Sequence, residues 1–117
     1  MKYRAAFASS DGKVINQHFG RAKQFLILDI DEENKTWEFV EIRENEPSCD
    51  GGTHSEEALE QAAGVVSDCR AVFVARIGVG AQSLLAQKNV QAIELPYPIE
   101  DVIHALLHAK VKLIYER

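Results

Sequence analysis

Short apolar segments alternate with amphipathic segments along this chain, and that order restricts the fold more than any single motif does. Strand-like runs occupy positions 2–8, 25–30, 37–42, 71–75 and 90–95. Helical spacing of apolar residues follows Thr53, Gly80 and Pro98. Because a strand, a helix and a second strand in succession favour a parallel pair with a right-handed crossover, the second half of the chain predicts parallel strands.

The first three runs predict an antiparallel meander. Only the polar segment DEENKT separates the second run from the third, which is short enough for a hairpin. Side chains of the third run alternate between two faces. One face would carry Trp37, Phe39 and Glu41, and the other Glu38, Val40 and Ile42. This alternation predicts a half-buried or edge strand. The whole pattern predicts an α/β protein, with one domain over residues 1–117 and one mixed sheet covered by helices.

The composition fits such a domain and disfavours several kinds of partner. Of the 117 residues, 46% are hydrophobic and 26% are charged, which is ordinary for a folded chain. The net charge of −5 argues against nucleic acid, because that partner requires a basic face. No apolar stretch approaches the ~20 residues of a membrane span, and we expect no signal peptide. Two cysteines, Cys49 and Cys69, are too few for a disulfide framework, so we expect a cytoplasmic protein with reduced thiols.

The predicted topology brings four loops, 9–20, 21–24, 45–53 and 76–80, to one edge of the sheet. Open α/β sheets bind ligands at this edge, beyond the carboxyl ends of the strands. The chemically active side chains in and beside these loops are His18, Arg21, Cys49, His54 and Arg76. Six glycines accompany them, namely Gly12, Gly20, Gly51, Gly52, Gly78 and Gly80.

These residue types suit an anionic ligand that contains sulfur or metal. Thiolate is a soft metal ligand and imidazole a borderline one. Glycines let backbone amides approach a ligand closely, and the helices that begin near Thr53 and Gly80 offer free amides. Thr53 and Glu56 also have the spacing of a capping box. Each residue alone has a structural alternative, such as a loop hydrogen bond for His18, so the interpretation depends on their convergence.

Three other residues lie away from this edge. Cys69 precedes the run at 71–75, at the opposite end of the sheet, and is predicted to be a small buried hydrophobe that shares no ligand with Cys49. His104 and His108 have the i, i+4 spacing of a metal pair on the last helix. The segment HALLH lacks the glutamate of a zinc-binding HExxH helix, which favours an exposed helix edge instead.

Three segments resemble the dinitrogenase iron–molybdenum cofactor biosynthesis family, which includes the NifX and NafY carriers and the C-terminal domain of NifB. They are SSDGKVINQHFGRAKQFLILDID, PSCDGGTH and SDCRAVFVARIGVGAQSLLAQKNVQAIEL. The resemblance implies a ribonuclease-H-like fold with a five-stranded mixed sheet, and a role in nitrogenase cofactor assembly for nitrogen fixation. It also implies that His18 is a cluster ligand and that Cys49 supplies a thiolate.

We therefore expect a carrier, not an enzyme, for an iron–sulfur cluster or an iron–molybdenum cofactor precursor. His18 and Cys49 would ligate the metal, and Arg21 and Arg76 would offset the cluster charge. The groups expected to line the rest of the site are Gly51, Gly52, His54, Gly78 and Gly80. The expected partners are proteins that donate and accept the cofactor, with no nucleic acid and no membrane.

Two alternatives remain open at this point. A small-anion or metabolite-binding regulatory module would use the same glycines and arginines without iron. A metal-dependent nuclease is suggested only by fold analogy, and fold does not determine function. Two-metal chemistry requires several converging carboxylates, whereas Asp11 and Asp50 are the obvious acids at this edge.

Overall fold

A five-stranded mixed sheet forms the centre of the chain in a computed structural model that describes residues 2–45, 56–108, 110, 111 and 113. The elements in chain order are β1 (Lys2–Ala8), a 3-10 turn (Phe19–Arg21), β2 (Gln24–Asp31), β3 (Thr36–Glu44), α1 (Glu56–Val65), β4 (Ala71–Val74), α2 (Val79–Gln87), β5 (Gln91–Glu94) and α3 (Ile99–Leu107). The strand order is β3-β2-β1-β4-β5.

The pairing directions confirm the topology predicted from the sequence. β1, β2 and β3 form an antiparallel meander, and β4 and β5 continue the sheet parallel to β1. Of the described helices, none is long and apolar enough to cross a membrane. The predicted capping box at Thr53 lies outside the described residues. The sequence also has a last apolar run at 111–115, which predicts either a terminal strand or the tail of the preceding helix. Val111 and Leu113 belong to neither, and the other residues of the run lie outside the described residues.

The two faces of the sheet are covered by different helices. α1 and α2 pack on one face, over buried side chains that include Phe25 and Ile27. α3 packs on the other face, where Phe7 on β1 and Phe73 on β4 stack with ring centroids 5.0 Å apart. Both faces are buried along β1 and β4, which explains why these strands lack polar alternation.

A β-bulge determines which side chains of β3 share a face. The pairing of β2 with β3 skips Val40, so the alternation reverses after that residue. Phe39 and Ile42 consequently lie on the same face as Trp37, the α3 face, and each is about half exposed. Val40 packs against the opposite cluster, beneath α1 and α2. The grouping of Ile42 with Val40, predicted from simple alternation, is therefore wrong because of this one extra residue.

A charged cluster ties the segment after α1 to the sheet. Arg43 on β3 donates to both carboxylate oxygens of Asp68, at 2.6 and 2.9 Å, and Arg4 on β1 donates to the same carboxylate at 3.1 Å. These two guanidinium groups hold the pKa of Asp68 well below its ordinary value. The neighbouring Cys69 is fully buried, and burial raises the pKa of its thiol to about 12. Cys69 is thus the buried residue that the sequence predicts.

The depressed pKa of Asp68 predicts acid-dependent stability. A carboxyl whose pKa is lower in the folded state stabilises the protein above its unfolded pKa, about 3.9, and this contribution is lost as the pH falls further. We expect Asp68→Asn to lower the free energy of unfolding by roughly 0.5–1 kcal/mol at pH 7. The loss of stability on acidification below about pH 4 should be shallower in this variant than in the wild type.

Urea denaturation at pH 7 and at several values below pH 4 measures both effects. Glu60→Gln is the matched control, because it removes an exposed carboxylate from α1. Identical stability and identical acid slopes for the two variants would show that the Asp68 cluster contributes nothing.

Candidate functional site

Two backbone hydrogen bonds join the loop after β1 to the end of β4. The amide of Ala75 donates to the carbonyl of Gln17, and the amide of Phe19 donates to the carbonyl of Arg76, both at 2.9 Å. His18 and Arg76 therefore form a parallel bridge, with both residues exposed. Two residues that are far apart in sequence are held side by side by main-chain bonds.

Buried and hydrogen-bonded neighbours fix the position of His18. Phe19 is fully buried, with its ring centroid 5.9 Å from that of Phe25. The carbonyl of Ala8 accepts bonds from the amides of Asn16 and Gln17, at 3.2 and 3.3 Å. Since the residues on both sides of His18 are anchored to the fold, its exposed imidazole starts from a fixed backbone.

The acidic residue in the same loop has a structural task. Asp11 accepts hydrogen bonds from the amides of Lys13 and Val14, at 2.9 and 3.2 Å. These amides hold the pKa of Asp11 below its ordinary value. The following Gly12 has a φ of +75°, a conformation that favours glycine at this turn. The Asp11 carboxylate is thus occupied in shaping the loop.

The loop between β4 and α2 completes this edge of the sheet. The amide of Ile77 donates to a carboxylate oxygen of Glu94 at the end of β5, at 2.9 Å. Gly78 is the N-cap of α2 and has no side chain to satisfy the first amides of the helix. A Cβ atom added at Gly78 or Gly80 would meet no atom within 4 Å. The start of α2 is therefore open to a ligand from outside.

A depression of about 510 Å³ lies at this edge. Its lining residues come from three loops and helix starts, namely His18, Gly20, Leu59, Arg76, Ile77, Gly78, Gly80 and Ala81. The structure thus brings together four of the predicted site residues. Arg21 is exposed at the end of the 3-10 turn and does not line the depression. The other predicted members, Cys49, Gly51, Gly52 and His54, lie outside the described residues.

Sequence reasoning missed the apolar wall of the depression. Leu59 on α1, Ala81 on α2 and Ile77 form this wall, and none of the three is among the residues predicted for the site. Leu59 and Ala81 lie in the first turns of their helices, which begin at the same edge of the sheet as the loops. Their position at the start of each helix is the signal that would have placed them at the site.

The charge and ligand types of the depression favour an anion. Arg76 contributes a permanent positive charge, His18 an imidazole, and the start of α2 a partial positive charge from its free amides. Within the described part of the chain, no group of three or more His, Cys, Asp and Glu side chains could hold a metal ion. Of the described side chains that line the depression, His18 is the one metal-ligating group, and hydrogen-bond donors surround it.

The fold and the depression define a small α/β protein with a loop-built site beyond the carboxyl ends of parallel strands. The chain belongs to the dinitrogenase iron-molybdenum cofactor family, whose sequence profile matches residues 1–109. This membership confirms the resemblance carried by the HFGRA and RIGxGAxxxL segments.

Individual relatives share parts of this chain. It is 38% identical over 101 residues to the FeMo cofactor biosynthesis protein NifB of Chlorobaculum tepidum, a match that spans 86% of this chain and 23% of the relative. It is 29% identical to Protein NifX of Sinorhizobium fredii, spanning 86% of this chain and 65% of the relative. The chain thus corresponds to about a quarter of that NifB and about two thirds of that NifX.

A solved structure supports the fold independently. The apo form of the orange protein from Desulfovibrio gigas aligns with a TM-score of 0.64, over 96% of this chain and 92% of that one, at 18% sequence identity. At this level of identity the likeness concerns the fold alone.

The hydrogen bond from Ile77 to Glu94 predicts a measurable effect on the site loop. Glu94→Ala removes the acceptor, so we expect faster hydrogen exchange at the Ile77 amide and at its neighbours in the loop. Glu94→Gln keeps a carbonyl oxygen in the same place and should preserve most of the protection. Amide exchange followed by NMR makes the comparison, and equal protection in the wild type and Glu94→Ala would contradict this role for Glu94.

Proposed function

We propose that this protein binds an anionic iron–sulfur or iron–molybdenum type cofactor, or its precursor, and carries it as cargo during cofactor biosynthesis. The observation that supports this most is the bridge between His18 and Arg76 at an open depression beside the start of α2. A chain of the dinitrogenase iron-molybdenum cofactor family that has such a depression suits cofactor binding better than catalysis.

The residues of the depression would have complementary tasks. The imidazole of His18 would ligate a metal atom of the cluster, as a borderline ligand suits iron. Arg76 and the amides at the start of α2 would donate hydrogen bonds to cluster sulfides or to an organic acid group. The apolar wall formed by Leu59, Ile77 and Ala81 would exclude water from one side. A single imidazole from the depression would leave most metal atoms of the cluster without a protein ligand. Such weak coordination suits a carrier that releases its cofactor to an acceptor protein.

The neighbouring loop would supply the remaining contacts. Cys49 is proposed as the thiolate ligand, with amides near Gly51 and Gly52 and the side chain of His54 beside it. This part of the proposal rests on the segment PSCDGGTH in the sequence. Arg21, which is exposed beside the depression, would offset the charge of the cargo from outside.

The relatives suggest the wider setting. Because similar proteins are named NifB, a FeMo cofactor biosynthesis protein, and NifX, the proposed partners are cytoplasmic assembly proteins that donate and accept the cofactor for nitrogen fixation. The antiparallel meander followed by two parallel strands supports a ribonuclease-H-like classification of the fold.

Anaerobic titration with iron–molybdenum cofactor extracted from a dinitrogenase, followed by visible absorbance, tests the proposal. His18→Ala, Arg76→Ala and Cys49→Ser should each weaken binding by roughly tenfold or more, since a lost charge-assisted bond or ligand costs about 1.5–3 kcal/mol. His18 and Arg76 are exposed, so their variants should keep the stability of the wild type.

Matched controls separate the site from general effects. His104→Ala and Lys2→Ala remove an exposed imidazole and an exposed positive charge outside the depression, and should bind the cofactor like the wild type. Cys69→Ser should also bind normally but lose stability, because it buries a hydroxyl. Equal binding by all six variants would contradict the proposal. Binding of inorganic phosphate or another colourless anion in place of the cofactor would favour the metabolite-binding alternative.

Gly80 provides a test in which stability and binding change in opposite directions. Gly80→Ala replaces a glycine inside α2 and meets no atom within 4 Å, so it should stabilise the protein by roughly 0.5–1 kcal/mol. The added methyl group would occupy part of the depression and should weaken cofactor binding. Thermal unfolding and the same anaerobic titration measure the two effects. Unchanged cofactor affinity in a stabilised variant would mean that the cargo does not approach this glycine.

A further inference from the structure

Two histidines at the end of α3 form a close pair on the other face of the sheet. His104 lies in the last turn of α3 and His108 is its C-cap, and both are exposed. Their rings stack with centroids 4.2 Å apart and an interplanar angle of 23°. α3 covers the face of the sheet opposite α1 and α2. The histidine pair is therefore separate from the depression.

The hydrogen bonding of His108 fixes which of its nitrogens is available. Its Nδ1 lies 2.9 Å from the carbonyl oxygen of His104. Because a carbonyl oxygen only accepts hydrogen bonds, Nδ1 must carry the proton. In the neutral ring, Nε2 then keeps a free electron pair for a metal ion. The hydrogen bond from Nδ1 to the carbonyl of His104 holds the ring in one orientation, as such bonds do for histidines that bind metals.

We propose that His104 and His108 bind a divalent transition-metal ion of borderline character, such as Ni²⁺, Cu²⁺ or Zn²⁺. Metal–nitrogen bonds of about 2.0–2.1 Å place the two nitrogens that ligate one ion within about 4 Å of each other. The two rings are close enough for this, and the exposed His104 ring would turn out of the stacked position to direct a nitrogen at the ion that His108 holds. Two histidines at i, i+4 have the spacing at which one helix face binds zinc. Imidazole suits these ions, whereas Mg²⁺ and Ca²⁺ prefer oxygen ligands.

The electrostatics of this site are opposite in sign to those of the depression. The last carbonyls of α3 carry partial negative charge, which favours a cation at this end of the helix. Glu100, one turn before His104, lines a cavity of about 240 Å³ together with His104 and Trp37. Two protein ligands leave the remaining coordination positions to water, so the ion would exchange readily.

Trp37 makes the proposal testable, because it is the single tryptophan of the chain and lines the same cavity as His104. Adding NiCl₂ to the untagged protein at pH 7.5 should quench its fluorescence in a saturable way, at one ion per chain. His104→Ala and His108→Ala should each weaken the apparent affinity by at least about tenfold, because the second ligand no longer acts at high effective concentration. Glu60→Gln, which removes an exposed carboxylate from α1, should be quenched like the wild type.

A second measurement does not depend on fluorescence. Ni²⁺ should raise the midpoint of thermal unfolding of the wild type and of Glu60→Gln, because it binds the folded helix, and should have no such effect on the two α3 variants. MgCl₂ at the same concentration should change neither signal. Quenching that is identical in the wild type and the His104→Ala and His108→Ala variants would overturn the proposal, as would the absence of a saturable response to Ni²⁺.

Discussion

The two main-chain hydrogen bonds between the loop after β1 and the end of β4 are the constraint on which the candidate site depends. They extend the parallel pairing of β1 with β4 beyond the strands and place His18 beside Arg76. The buried ring of Phe19 holds one side of this bridge. Because backbone rather than long side chains sets the distance, the site is organised before any ligand arrives, which lowers the entropic cost of binding.

The chain separates opposite local charges on the two faces of its sheet. Its net charge is −5, yet the depression presents Arg76 and the amino end of α2. The carboxyl end of α3 instead presents carbonyls, and Glu100 lies one turn before His104 on the same helix. Local charge, rather than the total, sets the field that a ligand meets. An anionic cofactor and a transition-metal cation can therefore be proposed for the same small domain without contradiction.

Much of the fold could be predicted because burial leaves a clear pattern in short strands. The bounds of β1 agree with the prediction, and β4 differs by one residue, since both strands are apolar on both faces. α2 begins slightly earlier than predicted because Gly78 serves as its N-cap. The bulge at Val40 could not be predicted from β3 alone, since it depends on the register of the neighbouring strand.

The strand directions determine one part of the candidate site, and that part could be predicted from the sequence. Strand directions alone indicated that the loops around His18 and Arg76 meet, whereas the apolar wall depends on where two helices begin in space. Cys49, Gly51, Gly52 and His54 stay predictions from the sequence. The position of Arg21 outside the lining shows that a shared loop does not guarantee a shared cavity.

NMR of the ¹⁵N-labelled chain, titrated anaerobically with extracted iron–molybdenum cofactor, tests the central claim most directly. Paramagnetic broadening reports which amides lie near the cluster. The account predicts selective loss of the amide signals of residues 18–20 and 76–81, with those of α3 retained. Broadening confined to α3 and β3, or no selective change at any amide, would contradict it.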